Sequence, residues 1–414
     1  SIKLKNIHTP DYCTIDFGNG YSVSLTATNG TVSPSNITVG YNGTATFTVT
    51  PNSGYKLELE TNTCGGTLSG NTYTISNITS NKTCSITFKS STPTLYAKLL
   101  ADKTERTVTT RPGGFSSVYT SDNTKTLYTS TENGTTVYYF AGNATDNWVQ
   151  FGGYYWRIIR TNSDGGVRLL YHGTSTTATD AVINTSTAFN STYNDPMYVG
   201  YMYGTSGSLV NNRKNTNNST IKGIIDTWYE NNLKTNYTKY LSTTAVYCND
   251  RSNPAGGYTT EDSRFYYGAY TRLVANKTPS YDCATTEDKF TVDSSTGNGK
   301  LTYPIALMTA DEVSFAGGVW ATNAPTWYYK NSVNGSSTGP TSWYLLSPEY
   351  WSGSGAAVLG VIGSDNPGRL MPQYVFYTFG VRPVISLKSC IKYSTGNGAP
   401  ETPYEIVLDP DISC

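Results

Sequence analysis

Residues 148–160 of the chain read WVQFGGYYWRIIR, a run of aromatic and β-branched residues interrupted by a Gly-Gly pair. Such residues favour strands, and a glycine turn between two such runs is typical of a hairpin. A further apolar run, Val167–Tyr171, follows the turn-forming triplet Asp164–Gly166. We therefore expect two or three strands of one sheet here, and this sheet decides the fold of the C-terminal part.

Two helices are expected beyond these strands. In Ser219–Leu233, either Ser219 or Thr220 can cap the first turn. The apolar residues that recur at helical spacing, and that should form its buried face, are Ile221, Ile224, Ile225 and Trp228. A second helix should occupy Thr309–Ala316, with Thr309 as its cap and glycines at its end.

The final part of the chain returns to strands, which we predict at Trp343–Pro348, Gly355–Val361 and Gly380–Leu387. Because strands, two helices and terminal strands follow one another, the pattern predicts an α+β fold class. A Ser-Thr-Pro linker at Ser90–Pro93, followed by a short helical stretch at Leu95–Leu100, separates this domain from what precedes it. We assign residues 91–414 to the α+β domain.

Residues 1–90 form short alternating segments separated by Asn-Gly, Pro-Asn and Gly-Gly breaks, which predicts a small all-β module. Its expected strands are Val23–Thr26, Ala45–Val49, Lys56–Leu59, Thr72–Ile75 and Ser85–Phe88.

The composition excludes some partners and favours others. Charged residues are only 14% of the chain and balance at 29 against 29, so no basic field is available for nucleic acid. No apolar run approaches the ~20 residues that a membrane helix requires. The 35 tyrosines favour a binding surface, because tyrosine supplies contact area at a small entropic cost.

Seven cysteines are present, but they lack metal-ligand spacing and only His8 and His172 are available to help them. Disulfides are the favoured interpretation, and an oxidising compartment would follow from them. The alternative is a set of buried thiols in a cytosolic protein. By proximity we pair Cys64 with Cys84, Cys248 with Cys283 and Cys390 with Cys414, which leaves Cys13 over.

Asn29–Pro34, Thr50-Pro51, Gly54-Tyr55 and the cysteines Cys64 and Cys84 form a recognisable pattern. The first 90 residues resemble the internalin-type bacterial surface repeat through these positions. The resemblance implies a compact module that spaces and displays the rest of a secreted or wall-linked protein.

Five motifs follow in order further along the chain: Tyr155–Arg160, Leu301–Ile305, Thr309–Val313, Trp343–Pro348 and Gly380–Ile385. Together they resemble gut-bacterial variable proteins that retroelements diversify, over about residues 93 to 408. The resemblance implies a C-type-lectin-like domain of the formylglycine-generating-enzyme type. Some relatives share this framework without a diversifying element, so diversification of this gene stays open.

In the variable proteins, the stretch between the last two motifs is the ligand-facing surface. Here that stretch sets bulky groups among glycines with little helical period, which is typical of an exposed binding hot spot. The alternative is that they are core residues of two strands, as we expect for Val358, Val361 and Val375. The residues predicted to contact a ligand are Tyr350, Trp351, Ala357, Leu359, Gly360, Ile362, Arg369, Met371, Gln373, Tyr374, Phe376, Tyr377 and Phe379.

No catalytic residue is predicted. His8 and His172 give poor support for a nucleophile and base, and the adjacent Asp311 and Glu312 should point to different faces of a helix. We interpret Asp311 as support for the helix dipole. The resemblance also implies a structural Arg382 that binds loop carbonyls or a carboxylate.

No cofactor is expected, although a structural calcium ion could bind Asp365, Asn366 and nearby backbone carbonyls. The order Ser364-Asp365-Asn366-Pro367 departs from the motif of calcium-dependent sugar-binding lectins. Such a lectin is therefore only a minor alternative.

These patterns predict a bacterial cell-surface receptor or adhesin, displayed as a monomeric ectodomain, that binds a protein or glycan and is not an enzyme. The runner-up is a structural, pilin-like surface subunit, because relatives of this layout are sometimes attached to pilin-like N-termini. A subunit should polymerise, whereas a receptor should be monomeric in solution.

Overall fold

The computed structural model describes residues 20–52, 54–106, 109–178, 181–324, 342–363, 366–410, 412 and 414. The chain divides into two compact units, Ser1–Thr92 and Pro93–Cys414. Within the described ranges, no helix is long and apolar enough to cross a membrane.

The first unit is built from eight strands in two four-stranded sheets, ordered β3-β1-β8-β5 and β2-β4-β7-β6. Its core is formed by strands in which buried apolar residues alternate with exposed polar ones. In β4, Ala45, Phe47 and Val49 are buried, whereas the threonines between them are exposed. All five predicted strands are present, and β2, β3 and β6 are additional. The bounds are β1 Tyr21–Thr28, β2 Gly30–Ser33, β3 Asn36–Val39, β4 Gly43–Pro51, β5 Tyr55–Asn62, β6 Thr67–Ser69, β7 Thr72–Ile78 and β8 Lys82–Ser90.

The second unit contains a nine-stranded sheet with the order β22-β27-β15-β14-β13-β29-β28, to which the hairpin β10–β11 is joined through β14. The predicted hairpins are confirmed: β13 pairs with β14 across Gly152 and Gly153, both at positive φ, and β14 pairs with β15. The strands as far as β15 are β9 Asp122–Asn123, β10 Tyr128–Glu132, β11 Thr135–Tyr139, β12 Asn143–Ala144, β13 Trp148–Phe151, β14 Tyr154–Thr161 and β15 Val167–Gly173.

A six-stranded sheet lies in the same unit, ordered β16-β26-β23-β24-β25 with β20 paired to β23. Both large sheets contribute to one hydrophobic core. The remaining strands are β16 Asn184–Ala188, β17 Met202–Tyr203, β18 Asn217–Asn218, β19 Tyr247–Cys248, β20 Phe265–Tyr266, β21 Lys289–Phe290, β22 Ile305–Leu307, β23 Trp343–Trp351, β24 Ala356–Val361, β25 Leu370–Tyr374, β26 Thr378–Val381, β27 Pro383–Leu387, β28 Tyr393–Thr395 and β29 Tyr404–Ile406.

The α+β class predicted from the sequence is wrong. Strands make up 40% of the structure and helices only 15%, so the chain is mostly β. The predicted helices exist, but many strands of only two or three residues, such as β17, β19 and β20, carry no clear periodicity in the sequence and add to the β content. The helices are α1 Leu95–Asp102, α2 Leu209–Asn212, α3 Thr220–Asn232, α4 Lys234–Tyr237, α5 Gly268–Tyr270 and α6 Ala310–Ala316.

Helix α3 begins after its cap Ser219, as predicted, but its buried face is rotated from the predicted one. Ile221, Ile225 and Tyr229 are fully buried at i, i+4 and i+8, whereas Ile224 and Trp228 are half-buried. The predicted apolar pattern did not include Tyr229. A tyrosine ring can nevertheless fill a core position, as it does here. In α6, Thr309 and Glu312 form a capping box, which confirms the predicted start of that helix.

Gly380–Leu387 is two strands rather than one. β26 belongs to the six-stranded sheet and β27 to the nine-stranded sheet, and the chain changes sheets at Arg382. The buried Nε of Arg382 donates to the carbonyl oxygen of Tyr171 at 2.9 Å, and its guanidinium lies 5.3 Å from the Trp343 ring. The predicted bond to a carbonyl is therefore present, but the carbonyl belongs to strand β15 and not to a loop.

Three disulfides join Cys64 to Cys84, Cys248 to Cys283 and Cys390 to Cys414. These are the pairs predicted from proximity along the chain. Cys13 and His8 lie outside the described residues.

Candidate binding surface

Four neighbouring strands bring three tyrosines into one row across the six-stranded sheet. Tyr266 pairs directly with Tyr350, Tyr350 with Ala357, and Ala357 with Tyr374. Directly paired residues point to the same face of a sheet, so the three tyrosines share one face. Their ring centroids are 6.2 Å apart between Tyr266 and Tyr350, and 6.1 Å apart between Tyr350 and Tyr374.

A β-bulge in β23 sets this register. Pro348 pairs with Val358, but Tyr350 pairs with Ala357, so Glu349 and Tyr350 together oppose one residue of β24. Trp351, next along the strand, pairs with Phe265 and Ala356 and points to the opposite face. That opposite face is the core.

The chain turns sharply after β25. The amide of Tyr377 donates to the carbonyl oxygen of Tyr374 at 3.1 Å, which closes a tight turn. Val375 is buried within it, and its amide donates to the carbonyl oxygen of Ala356 at 3.0 Å. The turn is thus fixed by backbone bonds while its other side chains face outward.

The buried Tyr344 supports this turn from below. Its hydroxyl lies 2.8 Å from the carbonyl oxygen of Tyr374 and 2.7 Å from that of Tyr377. Burial raises the pKa of Tyr344, so the hydroxyl remains a proton donor at all ordinary pH values.

We define the aromatic face as Tyr193, Tyr266, Tyr350, Tyr374, Phe376 and Tyr377. The Phe376 ring joins its members, with centroids 5.7 Å from Tyr374, 4.6 Å from Tyr377 and 4.4 Å from Tyr193. Tyr193, Phe376 and Tyr377 are 42%, 36% and 47% exposed. The face is therefore continuous and open to solvent at this end.

The opposite end of the aromatic face is polar. The guanidinium carbon of Arg264 lies 5.0 Å from the Tyr350 ring centroid, and its Nη1 lies 3.5 Å from the Tyr266 hydroxyl. Tyr374 accepts hydrogen bonds from Ser352 and Tyr350, which lower its pKa. Arg264 is exposed and, among the described residues, has no ion pair with a carboxylate.

Glu349 lies beneath this polar end. Its Oε1 accepts a 3.0 Å hydrogen bond from Nε1 of Trp320, and its Oε2 is buried and has no hydrogen-bond partner among the described residues. Burial raises the pKa of Glu349 to about 8, so its carboxyl is largely protonated at neutral pH.

Four of the residues predicted to contact a ligand are buried, so the expectation that they are exposed is wrong. Trp351 is only 1% exposed, and its indole nitrogen donates to the carbonyl oxygen of Glu261 at 3.1 Å. Ala357, Leu359 and Gly360 of β24 are buried as well. β24 lies between β23 and β25, and all six of its residues are buried.

Four other predicted contacts lie away from the aromatic face. Ile362 and Arg369 belong to the turn that joins β24 to β25, where the Arg369 Nε donates to Oδ1 of Asn323 at 3.0 Å. Met371 and Gln373 alternate with Tyr374 along β25 and so point to the other side of the strand. All four are half-buried.

The remaining five predicted contacts come together. Tyr350, Tyr374, Phe376 and Tyr377 are members of the aromatic face, and the half-buried Phe379 lies beside it, 6.4 Å from Tyr377 between ring centroids. Whether any of them contacts a ligand stays a prediction.

Sequence reasoning missed Tyr193, Arg264 and Tyr266. They belong to segments far from the predicted stretch, and only strand pairing and ring contacts bring them to it. The sole signal was the high tyrosine content of the segment before α5, Phe265-Tyr266-Tyr267.

Several charged residues buried in the second unit form ion pairs around helix α6. Arg160 binds Glu132 at 2.8 Å and Glu312 at 3.0 Å, and Arg168 binds Glu312 at 2.7 Å. Asp311 lies in the first turn of α6, as expected, and also binds Arg272 at 2.8 Å. These pairs join α6 to β14, β15 and the segment after α5.

His172 is buried, and its imidazole packs edge-on against Trp148 at 4.4 Å between ring centroids. Burial and the nearby Arg382 and Arg157 lower the pKa of His172, so its side chain is neutral. Among the described residues, no group of three or more His, Cys, Asp or Glu side chains is arranged to hold a metal ion. Of the two side chains considered for a structural calcium ion, Asp365 lies outside the described residues and Asn366 within them.

Comparison with known proteins gives no relative: no family model, curated protein or solved structure matches the chain.

Proposed function

We propose that this chain is a bacterial cell-surface protein, a receptor or adhesin, that binds a ligand through its aromatic face. The observation that carries the proposal is a continuous set of six rings, exposed at one end, on a support of buried residues and backbone hydrogen bonds. Clustered aromatic side chains on a rigid support are typical of binding hot spots.

Two further features support display outside the cell. Three disulfides are compatible with an oxidising compartment. The first unit is a compact β module with its own core, which suits a role in spacing the second unit from a surface. The relationship to retroelement-diversified proteins is part of the proposal and rests on the sequence motifs alone.

Binding to arrays of glycans and of secreted proteins tests the proposal. We expect the chain to bind at least one arrayed molecule. The variant Tyr193→Ser, Phe376→Ser, Tyr377→Ser should bind it at least about 30-fold more weakly, since one hot-spot residue commonly contributes ~2 kcal/mol.

A matched control removes three exposed apolar side chains elsewhere: Tyr41→Ser, Val210→Ser, Leu408→Ser. This control should bind as the unmodified chain does. Equal loss in both variants, or full binding by the aromatic-face variant, would show that the ligand is held elsewhere.

A further inference from the structure

Among the residues that the structure describes, no carboxylate forms an ion pair with Arg264 at the polar end of the aromatic face. Glu261 and Asp262 are exposed in the same loop as Arg264, but neither lies within ion-pair distance of it. Glu349, the carboxyl beneath it, is largely neutral at pH 7. A guanidinium in this state can hold a ligand carboxylate through two parallel hydrogen bonds.

Hydroxyl groups surround this charge. Tyr266 and Tyr350 lie beside Arg264, and Tyr374 and Ser352 continue the row. Each hydroxyl both donates and accepts hydrogen bonds, which matches a ligand rich in hydroxyl groups. The ring faces of Phe376 and Tyr377 beyond them offer an apolar surface for the C–H and methyl groups of such a ligand.

The neighbouring sheet edge argues against an extended peptide as the ligand. β25 is an edge strand, and the amide and carbonyl groups of Leu370 point outward to Val319 and Ala321. Along an antiparallel strand, every second residue points its backbone amide and carbonyl groups away from the neighbouring strand. After Leu370 the next such residue in β25 is Pro372, which has no amide hydrogen. A peptide strand that tried to pair with β25 would find few donors, so recognition depends on side chains.

We propose, building on the function given above, that the aromatic face binds a glycan whose terminal sugar carries a carboxylate, of the sialic acid type, with that carboxylate on Arg264. The hydroxyl groups of the sugar then lie over the tyrosine row. Its acetamido methyl group packs on the rings.

Calorimetric titration with sialyllactose and with lactose tests this assignment, because the two probes differ only in the acidic sugar. Sialyllactose should bind at least about tenfold more tightly than lactose, since a charged hydrogen bond is worth ~1.5–3 kcal/mol. Arg264→Ala should remove that preference. Lys125→Ala, which deletes an exposed positive charge in another part of the unit, should keep it.

Equal binding of the two sugars, or the same sialyllactose affinity in Arg264→Ala as in the unmodified chain, overturns the assignment. So does an absence of sialyllactose binding at about 5 mM, which would mean an affinity weaker than most single-site sugar contacts. These results leave the proposed function intact if the array ligand is still lost in the Tyr193, Phe376 and Tyr377 variant. Preferential binding of an acidic peptide over sialyllactose would assign the surface to proteins instead.

Discussion

The hydroxyl of Tyr344, in a buried strand, lies 2.7 Å from the carbonyl oxygen of Tyr377, at the exposed tip of the aromatic face. Tyr344→Phe removes this contact and leaves the partly buried carbonyl groups of Tyr374 and Tyr377 with fewer partners. We expect the free energy of unfolding to fall by about 1–2 kcal/mol.

Tyr247→Phe is the matched control, because the Tyr247 hydroxyl is also buried and donates to a carbonyl, that of Pro304, away from the aromatic face. Both variants should lose stability in chemical denaturation. Only Tyr344→Phe should speed hydrogen exchange at residues 374–377. Unchanged exchange there would mean that the turn does not depend on Tyr344.

Truncation of Trp351 should lower the free energy of unfolding strongly, whereas truncation of Tyr377 should hardly change it. Trp351→Ala empties a core position and should cost ~3–5 kcal/mol of unfolding free energy, as large buried truncations do. Tyr377→Ser changes an exposed residue and should stay within about ±0.5 kcal/mol. Urea denaturation compares the two, and similar losses in both would place Tyr377 in the core.

Glu349 should make stability depend on pH. Its pKa is about 8 in the folded chain against 4.5 for an ordinary glutamate, so the folded state holds the proton more tightly. The resulting stabilisation is present below about pH 4.5 and is lost as the pH rises through about 8. Trp320, Arg264, Tyr270 and Tyr350 are the polar groups that influence this carboxyl.

Glu349→Gln should therefore flatten the fall in unfolding free energy between pH 5 and pH 8, about the interval between the two pKa values. Glu401→Gln, at an exposed glutamate, should leave the curve as it is. If the curves of Glu349→Gln and the unmodified chain have the same slope, the carboxyl is ionised in the folded state at neutral pH.

Gly355 provides the space in which the Tyr374 ring lies. A methyl group added at Gly355 would come within 2.9 Å of two atoms of that ring, closer than real contacts allow. Gly355→Ala should push the ring aside and weaken ligand binding severalfold, while the chain still folds. Gly223→Ala in α3 meets no atom within 4 Å and should instead stabilise the chain by ~0.5–1 kcal/mol.

Removal of the Cys248–Cys283 disulfide should destabilise the second unit. The bond spans 35 residues, and a loop of this size typically contributes ~2–4 kcal/mol. Cys248→Ser, Cys283→Ser should lower the melting temperature in calorimetry. Free thiols at both positions in the unreduced protein would contradict the bond itself.

Local patterns predicted five of the eight strands of the first unit, the hairpins around Gly152-Gly153 and Gly165, and both helix caps, because each depends on residues close in sequence. The fold class was wrong, since many strands have only two or three residues and form through distant partners, as Phe265–Tyr266 does with Tyr350 and Trp351. Short segments of this kind carry no measurable period in the sequence.

The candidate site was predicted in part for the same reason. Alternation alone cannot show the bulge at Glu349, and one extra residue decides whether Tyr350 or Trp351 faces solvent. The aromatic residues of the turn at residues 374–377, which we call the aromatic turn, were predicted from the sequence because they lie in a single local segment. Arg264 and Tyr193 were not, because their place beside it depends on tertiary contacts.

The contacts that hold the aromatic turn involve main-chain atoms at Tyr374, Val375 and Tyr377. Every amino acid except proline supplies the same amide and carbonyl groups, so these contacts do not depend on which side chains the turn carries. A lineage could therefore exchange the residues at 374, 376 and 377 many times and acquire new specificities without rebuilding the strands underneath. Selection for recognition and selection for folding would then act on separate sets of atoms.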